Sequence, residues 1–325
     1  MFPQNLSINE TIRSNLDKIS KIYQTIVHNI NYYVDHVIYN NHSIIDNQTV
    51  SIVMTTHNRI KQTLFTLDTI KNSSYNNIQV IIVDDSTENF IDENYFKSYD
   101  FRIDYIKIKT MHKNWINPCI NYNIGFRYIK GTYVIIQNAE VCHIGDVVSF
   151  VNQNCAENNY LVFDVSNTNS YQNNDQLYEL FNNNDLNYHK ISLLLQSNHE
   201  YIWYQHRIYR CENYHFLTAI HINDLKKLGD GFDIDFSLAA WYDDNELVFR
   251  IRHLLKLNII NIDCTTNNLM GIHQHHERYE SVNDSRHINE YILNKKIHNF
   301  CKNRNWIYLY NNEDSINNFN ILYNN

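Results

Sequence analysis

The N-terminal segment carries apolar residues at intervals of three or four positions, which is the spacing of one face of a helix. The series begins at Leu6 and passes through Ile19 to Ile30. This spacing predicts helical structure over residues 5–40. The next stretch, residues 40–48, is polar and is therefore predicted to be a linker.

Beyond the linker, short apolar runs alternate with longer amphipathic stretches. Strands that alternate with helices in this way build a mostly parallel sheet that is covered by helices on both faces. We therefore predict an α/β fold. The predicted strands are residues 50–54, 78–83, 101–108, 133–136, 216–220 and 259–263, and the predicted helices are residues 60–70, 118–129, 223–228, 243–257 and 287–302.

One stretch in the second half of the chain departs from this alternation. Residues 167–187 are rich in Asn and only weakly periodic. Such a stretch is predicted to be an excursion on the surface, because it offers no continuous apolar face to bury. Acceptor specificity is expected to lie in and just after this excursion, over residues 167–215.

Composition narrows the class of protein. The chain has 325 residues and a formal net charge of -8, and it contains no Lys/Arg run, so nucleic acid is not an expected partner. Its six cysteines are scattered without a C-x-x-C pair, which predicts reduced thiols. No basic and apolar leader and no run of 18 apolar residues is visible, so a cytoplasmic protein without a transmembrane segment is expected.

Polar residues follow three of the predicted strands, at Thr55–Arg59, Asp84–Thr87 and Gln137–Glu140. The carboxyl ends of parallel strands form the ligand-binding edge of an open sheet. Backbone amides at the start of the helix after Asn58 are therefore expected to face a phosphate, and Arg59 adds positive charge.

The Asp84–Asp85 pair has two interpretations that the residues alone leave open. One of the two carboxylates would accept a hydrogen bond from the N–H of a uracil ring. Alternatively, Asp-Asp-Ser-Thr is only a turn that caps a helix. The presence of polar residues at three strand ends favours the first interpretation.

A second candidate region begins with Asp243 and Asp244 at the start of a predicted helix. A carboxylate there is either a helix cap stabilised by the helix dipole or a general base that accepts a proton from an attacking hydroxyl. Glu246 and Arg250 are four residues apart and are expected to pair on the same helix.

A third candidate region is Gly271–His276, in which three of four consecutive positions are histidine. This is either a metal site or a solvated turn. Imidazoles combined with the carboxylate of Glu140 would suit Mn²⁺ or Mg²⁺ bridging a diphosphate.

These motifs, taken in order, resemble a known family. The runs Ser51–Arg59 and Val80–Thr87 resemble the donor half of family 2 glycosyltransferases of the GT-A fold. The resemblance covers roughly residues 50–280. It continues through Asn123–Gly125, Gly131–Glu140, Trp203–His206, His215–Ile220, Leu228–Asp233, Tyr242–Glu246 and His273–His276.

The resemblance implies a role for each matching position. Asp244 would be the catalytic base. The acceptor or sugar pocket would include Asp243 and an aromatic cluster whose alternative role is core packing. The implied donor-binding residues are Thr55, His57, Arg59, Asp84, Asp85, Asn123 and Asn138; the implied metal ligands are Glu140, His273 and His276; and the implied aromatic cluster is Trp203, Tyr204 and His206.

Three positions depart from the family pattern. Asn138 replaces the first carboxylate of the D-x-D element, so the implied metal site has one negative charge fewer. Asp230 is inserted between Gly229 and Gly231, where the family has a Gly-Gly pair. Asp243 stands where Glu is commoner.

The resemblance also implies a domain organisation. Residues 1–46 would be an N-terminal helical extension, used either to form a homo-oligomer or to dock to a partner. Residues 47–280 would be the GT-A domain, with a nucleotide-binding half (47–140) and an acceptor half (141–280). Residues 281–325 would be a helical tail.

The expected function is inverting transfer of a sugar from a nucleotide sugar, most simply a UDP-sugar, to a hydroxyl of a glycan or glycosylated acceptor, with Mn²⁺ or Mg²⁺. Two alternatives remain. A sugar nucleotidyltransferase would have a Gly-rich basic loop after the first strand, but Thr55–Arg59 has no Gly. A transferase-like carbohydrate-binding or scaffold protein with little or no activity is compatible with Asn138, but less so with Asp244 and Glu140.

Overall fold

A computed structural model of the chain describes residues 10–40, 46–109, 113, 115–197, 202–229, 231–277 and 286–303. Its main element is an eight-stranded sheet in which four of the seven strand pairings are parallel, so the predicted mostly parallel sheet is confirmed. In spatial order the strands are β1 (Val34–Tyr39), β4 (Arg102–Ile108), β3 (Ile78–Asp84), β2 (Val50–Thr56), β5 (Tyr133–Asn138), β10 (Leu217–His221), β7 (Asn159–Phe163) and β11 (Asn258–Ile262).

A smaller sheet of four short strands lies beside the first and was not predicted. Strands of three or four residues give too few alternating positions to be recognised from sequence. In spatial order they are β6 (Val141–Ile144), β12 (Met270–His273), β8 (Val165–Asn167) and β9 (Trp203–Gln205).

Helices cover both faces of the large sheet, as predicted. Two 3₁₀ turns, Glu93–Ser98 and Ile234–Phe236, supplement them. The described helices are α1 (Glu10–His28), α2 (Ile30–Tyr33), α3 (Ile60–Lys71), α4 (Cys119–Phe126), α5 (Val147–Asn154), α6 (Tyr171–Asn182), α7 (Tyr188–Ser197), α8 (Ile222–Lys226), α9 (Asp243–His253), α10 (Cys264–Asn267) and α11 (Arg286–Asn303).

The central strands β2 and β3 are buried on both faces, which explains why their sequences are mainly apolar and do not alternate with polar residues. Alternate side chains enter two separate cores. Val53 and Ile81 pack with α1 and α4 on one face, whereas Ile52 and Val80 pack with α3 and α5 on the other. The two cores fix the position of the carboxyl ends of these strands.

Two of the predicted elements are wrong in part. Helix was predicted over residues 5–40, but residues 34–39 form β1, which pairs with β4 at the edge of the sheet. The helical spacing ends at Ile30, and the β-branched residues that follow suit an edge strand. Residues 5–9 lie outside the described residues, as do residues 41–45 of the predicted linker.

The predicted excursion over residues 167–187 is mostly exposed or half-buried, but it is helical over much of its length. It contains α6 and leads into α7. Leu177 and Ile191 anchor these helices, because both are buried in a cluster with Met270 and Ile272 of the small sheet. Tertiary burial of a few apolar side chains thus overrides the weak periodicity.

All six cysteines lie within the described residues, and none forms a disulfide. No helix in these ranges combines the length and the apolar character needed to cross a membrane.

Candidate active site

A cleft of about 580 Å³ lies at the carboxyl ends of the parallel strands β2, β3 and β5. Parallel pairing brings these three ends to one edge, as the sequence predicts. The cleft is lined by eight of the predicted site residues: Thr55, His57, Arg59, Asp85, Asn138, Glu140, Asp243 and Asp244.

Asp85 anchors one end of the cleft. Its Oδ1 lies 2.9 Å from His57 Nδ1, and its Oδ2 lies 2.6 Å from Lys113 Nζ and accepts a hydrogen bond of 2.8 Å from Asn121. Burial acts to raise the pKa of this carboxyl, but contacts with His57 and Lys113 outweigh it and hold the pKa below its usual value. The cleft therefore presents an ionised carboxylate surrounded by donors. Sequence reasoning missed Lys113 and Asn121, which no local pattern distinguishes.

Asp84 does not line the cleft. Its Oδ2 accepts a hydrogen bond of 2.5 Å from the Tyr105 hydroxyl, and its Oδ1 accepts one of 2.9 Å from the Ser86 amide. The side chain is fully buried, and burial raises its pKa. Asp84 therefore joins β3 to β4, while its neighbour Asp85 faces the cleft.

Asn123 is also placed away from the cleft. Its side-chain amide donates to Phe232 O and accepts from Phe232 N, both at 2.8 Å. The side chain therefore fastens α4 to the loop that contains Phe232. Asp230, the inserted acid of this loop, lies outside the described residues.

The three predicted metal ligands come together, and of the three Glu140 lines the cleft itself. One ligand atom from each of Glu140, His273 and His276 lies within 4.8 Å of the others. Antiparallel pairing of β12 with β6 sets His273 opposite Val141, directly after Glu140. The side chain of Gln274 donates to Glu140 O at 3.0 Å and so fixes the same turn. Glu140 and His273 lie 133 positions apart in the sequence, and the strand pairing brings them together.

Glu140 is the electrostatic centre of this group. Its Oε1 lies 2.9 Å from Arg59 Nη1, 3.4 Å from His273 Nε2 and 3.3 Å from His276 Nε2. Burial opposes ionisation, but the Arg59 charge and both imidazoles hold the pKa of Glu140 well below its usual value. Two imidazole nitrogens and an ionised carboxylate are a donor set that fits a divalent cation, and three protein ligands leave positions for other oxygens.

A second groove, of about 480 Å³, adjoins the cleft and shares His57 and Arg59 with it. It passes the first turn of α3, including Ile60 and Lys61, and reaches His276. The amides at a helix N-terminus favour an anion, and here they lie beside the Glu140 group. The arrangement suits a phosphate between Arg59 and a bound cation.

Asp243 and Asp244 begin α9 on the opposite side of the cleft. Asp243 is buried and accepts a hydrogen bond of 2.8 Å from Asn117; burial and the charge of Asp244 raise its pKa to about 6. Asp244 Oδ1 lies 2.5 Å from His215 Nδ1 and accepts from the His215 backbone N–H at 3.2 Å. Burial acts to lower the pKa of His215, but Asp244 raises it overall. A carboxylate held by an imidazole can accept a proton.

The three residues of the predicted aromatic cluster do not share one role. Tyr204 lines a groove of about 500 Å³ that also includes His273. Trp203 packs on His206, and His206 Nδ1 accepts from two backbone N–H groups of the turn that follows it. For Trp203 and His206 the structure therefore favours the packing alternative.

Glu246 and Arg250 pair as expected, but inside the core and not on the surface of the helix. Both side chains are fully buried, and the Arg250 guanidinium also donates to Leu228 O and Gly231 O. This pair fixes the loop before α9 and takes no part in the cleft.

Comparison with solved structures finds several similar folds of low sequence identity. TarS of S. aureus in complex with UDP-GlcNAc is 13% identical, with a TM-score of 0.47 over 71% of this chain and 60% of that chain. A longer TarS structure gives 13% identity and a TM-score of 0.46 over 70% and 37%. The mannosyltransferase PcManGT from Pyrobaculum calidifontis, in complex with GDP-Man and Mn²⁺, gives 14% and 0.46 over 94% and 81%. The chain thus spans between about a third and three fifths of the TarS chains.

No curated protein matches the sequence. The profile described as "Glycosyl transferase family 2" matches residues 51–217, which is more than half of the chain and runs from β2 to the start of β10. Asp244, His273 and His276 lie beyond the match, and only the fold brings them to the matched residues Asp85 and Glu140. With its mostly parallel sheet, flanking helices, N-terminal helical extension and C-terminal helix, the chain belongs to glycosyl transferase family 2 and has the GT-A fold.

Proposed function

We propose that the protein transfers a sugar from a UDP-sugar to an acceptor hydroxyl in one inverting displacement that depends on a divalent cation. One observation carries the proposal: the cleft is lined by the carboxylates of Asp85, Glu140 and Asp244, and Glu140 forms a cation-binding group with His273 and His276. These are the parts needed to hold a nucleoside, a diphosphate and an attacking hydroxyl.

The surroundings of Asp85 favour uracil over guanine. Both carboxylate oxygens already have partners in His57, Lys113 and Asn121. Uracil would need one further acceptor for its single ring N–H, and the neighbouring donors would serve its carbonyl groups. Guanine presents two adjacent N–H groups and would need both oxygens of a carboxylate. We therefore infer a uridine nucleotide as the donor.

The diphosphate would lie between Arg59 and the first turn of α3. A cation bound by Glu140, His273 and His276 would neutralise charge that develops on the leaving diphosphate. Arg59, which pairs with Glu140 at 2.9 Å, would turn to the phosphate oxygens when a cation takes its place at Glu140.

Asp244 would act as the general base. The acceptor oxygen forms a bond to the anomeric carbon as its proton moves to Asp244, and the bond from that carbon to the diphosphate breaks. Attack from the face opposite the leaving group inverts the anomeric centre. The base group His215–Asp243–Asp244 and the cation group are separate clusters, as a single displacement requires.

The experiment measures release of nucleoside diphosphate and transfer of sugar from a panel of UDP-sugars and GDP-mannose, with Mn²⁺, Mg²⁺ or EDTA. We expect turnover with a UDP-sugar that EDTA abolishes. Asp244→Asn should bind UDP within about twofold of wild type and lose transfer by about 10²–10⁴-fold, the usual contribution of a general base.

Asp17→Asn makes the same change on the exposed face of α1 and serves as the control. Transfer by Asp244→Asn at the control rate would remove Asp244 from this role. Turnover with GDP-mannose alone would contradict the uridine assignment. If no donor is turned over and UDP does not bind, the scaffold alternative would replace the proposal.

A further inference from the structure

The C-terminal helix α11 contacts the segment that leads into the proposed base. This segment runs from Asp233 to Tyr242 and connects directly to Asp243 and Asp244 at the start of α9. Two polar side chains of α11 that point into the protein, Asn289 and Lys296, are fully buried against it. A buried polar side chain is stable only when it is hydrogen-bonded, so its partners identify what it holds.

Asn289 binds three backbone carbonyls of this segment. Its Nδ2 lies 2.8 Å from Phe236 O, 2.7 Å from Ala239 O and 2.9 Å from Trp241 O. One side-chain amide therefore contacts three carbonyl oxygens of a six-residue turn. Among the described residues, no backbone N–H donates to these carbonyls. The turn closes around Asn289.

The turn is strained where it meets α9. Trp241 has a φ of 73° and Tyr242 a φ of 69°, so two consecutive residues with bulky side chains lie in the left-handed region. Such backbone is unfavourable for a residue other than Gly and persists only where surrounding contacts enforce it. The third carbonyl bound by Asn289 belongs to Trp241, the first of these two residues.

The rest of α11 is fastened to the same segment. Lys296 Nζ lies 2.6 Å from Asp233 Oδ2 and 2.5 Å from Asp235 Oδ2, with all three side chains buried. Ile292 and Leu293 of α11 pack on Phe236. The helix is thus a rigid support from which Asn289 reaches the turn.

We propose that Asn289 is a positioning residue for sugar transfer. It holds the Trp241–Tyr242 backbone in its strained conformation and thereby sets the direction in which α9 presents Asp243 and Asp244 to the cleft. The inference rests on the proposed function, because it acts through Asp244 as the base. It also makes the C-terminal helix part of the catalytic unit, although the sequence suggests a separate tail.

Asn289→Ala removes the amide, and Asn294→Ala, at an exposed position of the same helix, is the matched control. Asn289→Ser, which keeps a smaller donor, is used if Asn289→Ala does not fold. The first readout is amide hydrogen exchange of the full chain, which requires no substrate. We expect faster exchange over residues 236–247 in the Asn289 variant and unchanged exchange there in Asn294→Ala.

The second readout is kinetic, with the UDP-sugar that the wild-type protein uses. We expect kcat to fall by about ten- to a hundredfold, the effect of a small misplacement of a catalytic group, while the Kd for UDP stays within twofold. In the Asp244→Asn background, Asn289→Ala should cause less than a twofold further loss, because the residue through which it acts is already disabled.

Other results would overturn the inference. Unchanged exchange over residues 236–247 would show that Asn289 does not hold the turn. A loss of kcat of equal size in the wild-type and Asp244→Asn backgrounds would show that it does not act through Asp244. Absence of transfer by the wild-type protein with every donor would reject the proposed function, and the exchange result would then separately decide whether Asn289 holds the turn.

Discussion

Arg59 and Glu140 form an ion pair of 2.9 Å at the centre of the cleft, although they lie 81 residues apart. Arg59 follows β2 and Glu140 follows β5, and the parallel pairing of these strands brings the two side chains together. The Arg59 guanidinium is paired with the carboxylate that a divalent cation would also bind. Arg59 and the cation therefore compete for Glu140, while both attract a diphosphate.

This competition predicts opposite effects of Arg59→Gln on two ligands. Without a donor, Mn²⁺ should bind about tenfold more tightly, because Glu140 no longer has a competing cation. With Mn²⁺ present, UDP should bind about tenfold more weakly, because a charge-assisted contact to phosphate is lost. Isothermal titration calorimetry measures both affinities.

Lys71→Gln is the matched control, because Lys71 is an exposed residue at the other end of α3 that donates to Ser98 O and does not line the cleft. A gain in Mn²⁺ affinity that is equal in both variants would show a general effect of charge, and the competition would be rejected.

The His215–Asp244 contact predicts a pH dependence. Asp244 raises the pKa of His215 above its usual value of 6.5. The imidazole therefore keeps its positive charge to a higher pH than usual and loses its proton as the pH rises through the raised value. Its ion pair stabilises the fold below about pH 6.5, and this contribution is lost above the raised pKa. The positive charge also opposes proton transfer to Asp244, so kcat should increase as His215 loses its proton.

His215→Asn keeps a donor but cannot titrate, so this increase in kcat should disappear from the pH profile between pH 6 and 8.5. His253→Asn, at the exposed end of α9, should retain it. Rates are measured at saturating donor and acceptor. Persistence of the increase in His215→Asn would assign it to another group.

The amide at Asn138 predicts that the cation site can be strengthened. Asn138 lies at the end of β5, lines the cleft and contacts the Tyr122 hydroxyl at 3.3 Å. Asn138→Asp supplies a second carboxylate close to Glu140. We expect the Kd for Mn²⁺ to fall by about tenfold, since carboxylate oxygens are preferred ligands of such cations.

Asn89→Asp adds the same charge at the rim of the adjoining groove and tests whether charge alone is sufficient. Equal improvement in both variants, or none in Asn138→Asp, would contradict a ligand position at residue 138.

The strands that form the cleft could be predicted because their sequence pattern is local. β2 and β3 are rich in β-branched residues, and the rule that parallel strands bind ligands at their carboxyl ends then brings Thr55, Asp85 and Asn138 together. Adjacent residues at a strand end point to opposite sides, and the sequence does not show which of Asp84 and Asp85 points to the cleft. The structure shows that it is Asp85.

Partners that come from distant segments could not be predicted. His215 lies 29 residues before Asp244, and Lys113 contacts Asp85 from a loop without a recognisable pattern. Asn289 is a single polar residue on a helix, and nothing in its own sequence shows that it is buried. Such residues are defined by tertiary packing, which periodicity does not report.

The edge strand β1, which the periodicity did not predict, is held to the sheet by a buried carboxylate. Asp104 of β4 accepts from Gln79 at 2.7 Å and pairs with Arg102, and its Oδ1 lies 2.9 Å from His36 Nε2 of β1. Burial opposes ionisation, but His36 and Arg102 outweigh it and lower the pKa of Asp104 to about 2 from 3.8. The carboxylate therefore stabilises the folded state only while it is ionised.

Asp104→Asn should lower the free energy of unfolding at pH 7 by roughly 2 kcal/mol, the equivalent of this shift. Since the folded pKa lies below the unfolded value, the advantage of the wild type should be complete above about pH 4 and disappear as the pH falls toward 2. Urea unfolding across this range measures it. Asp35 lies on the same edge strand and forms an exposed ion pair with Lys109. Asp35→Asn should therefore change stability by less than about 0.5 kcal/mol. A loss in Asp104→Asn that stays constant from pH 7 to 2 would mean that its ionisation is not the source of the stability.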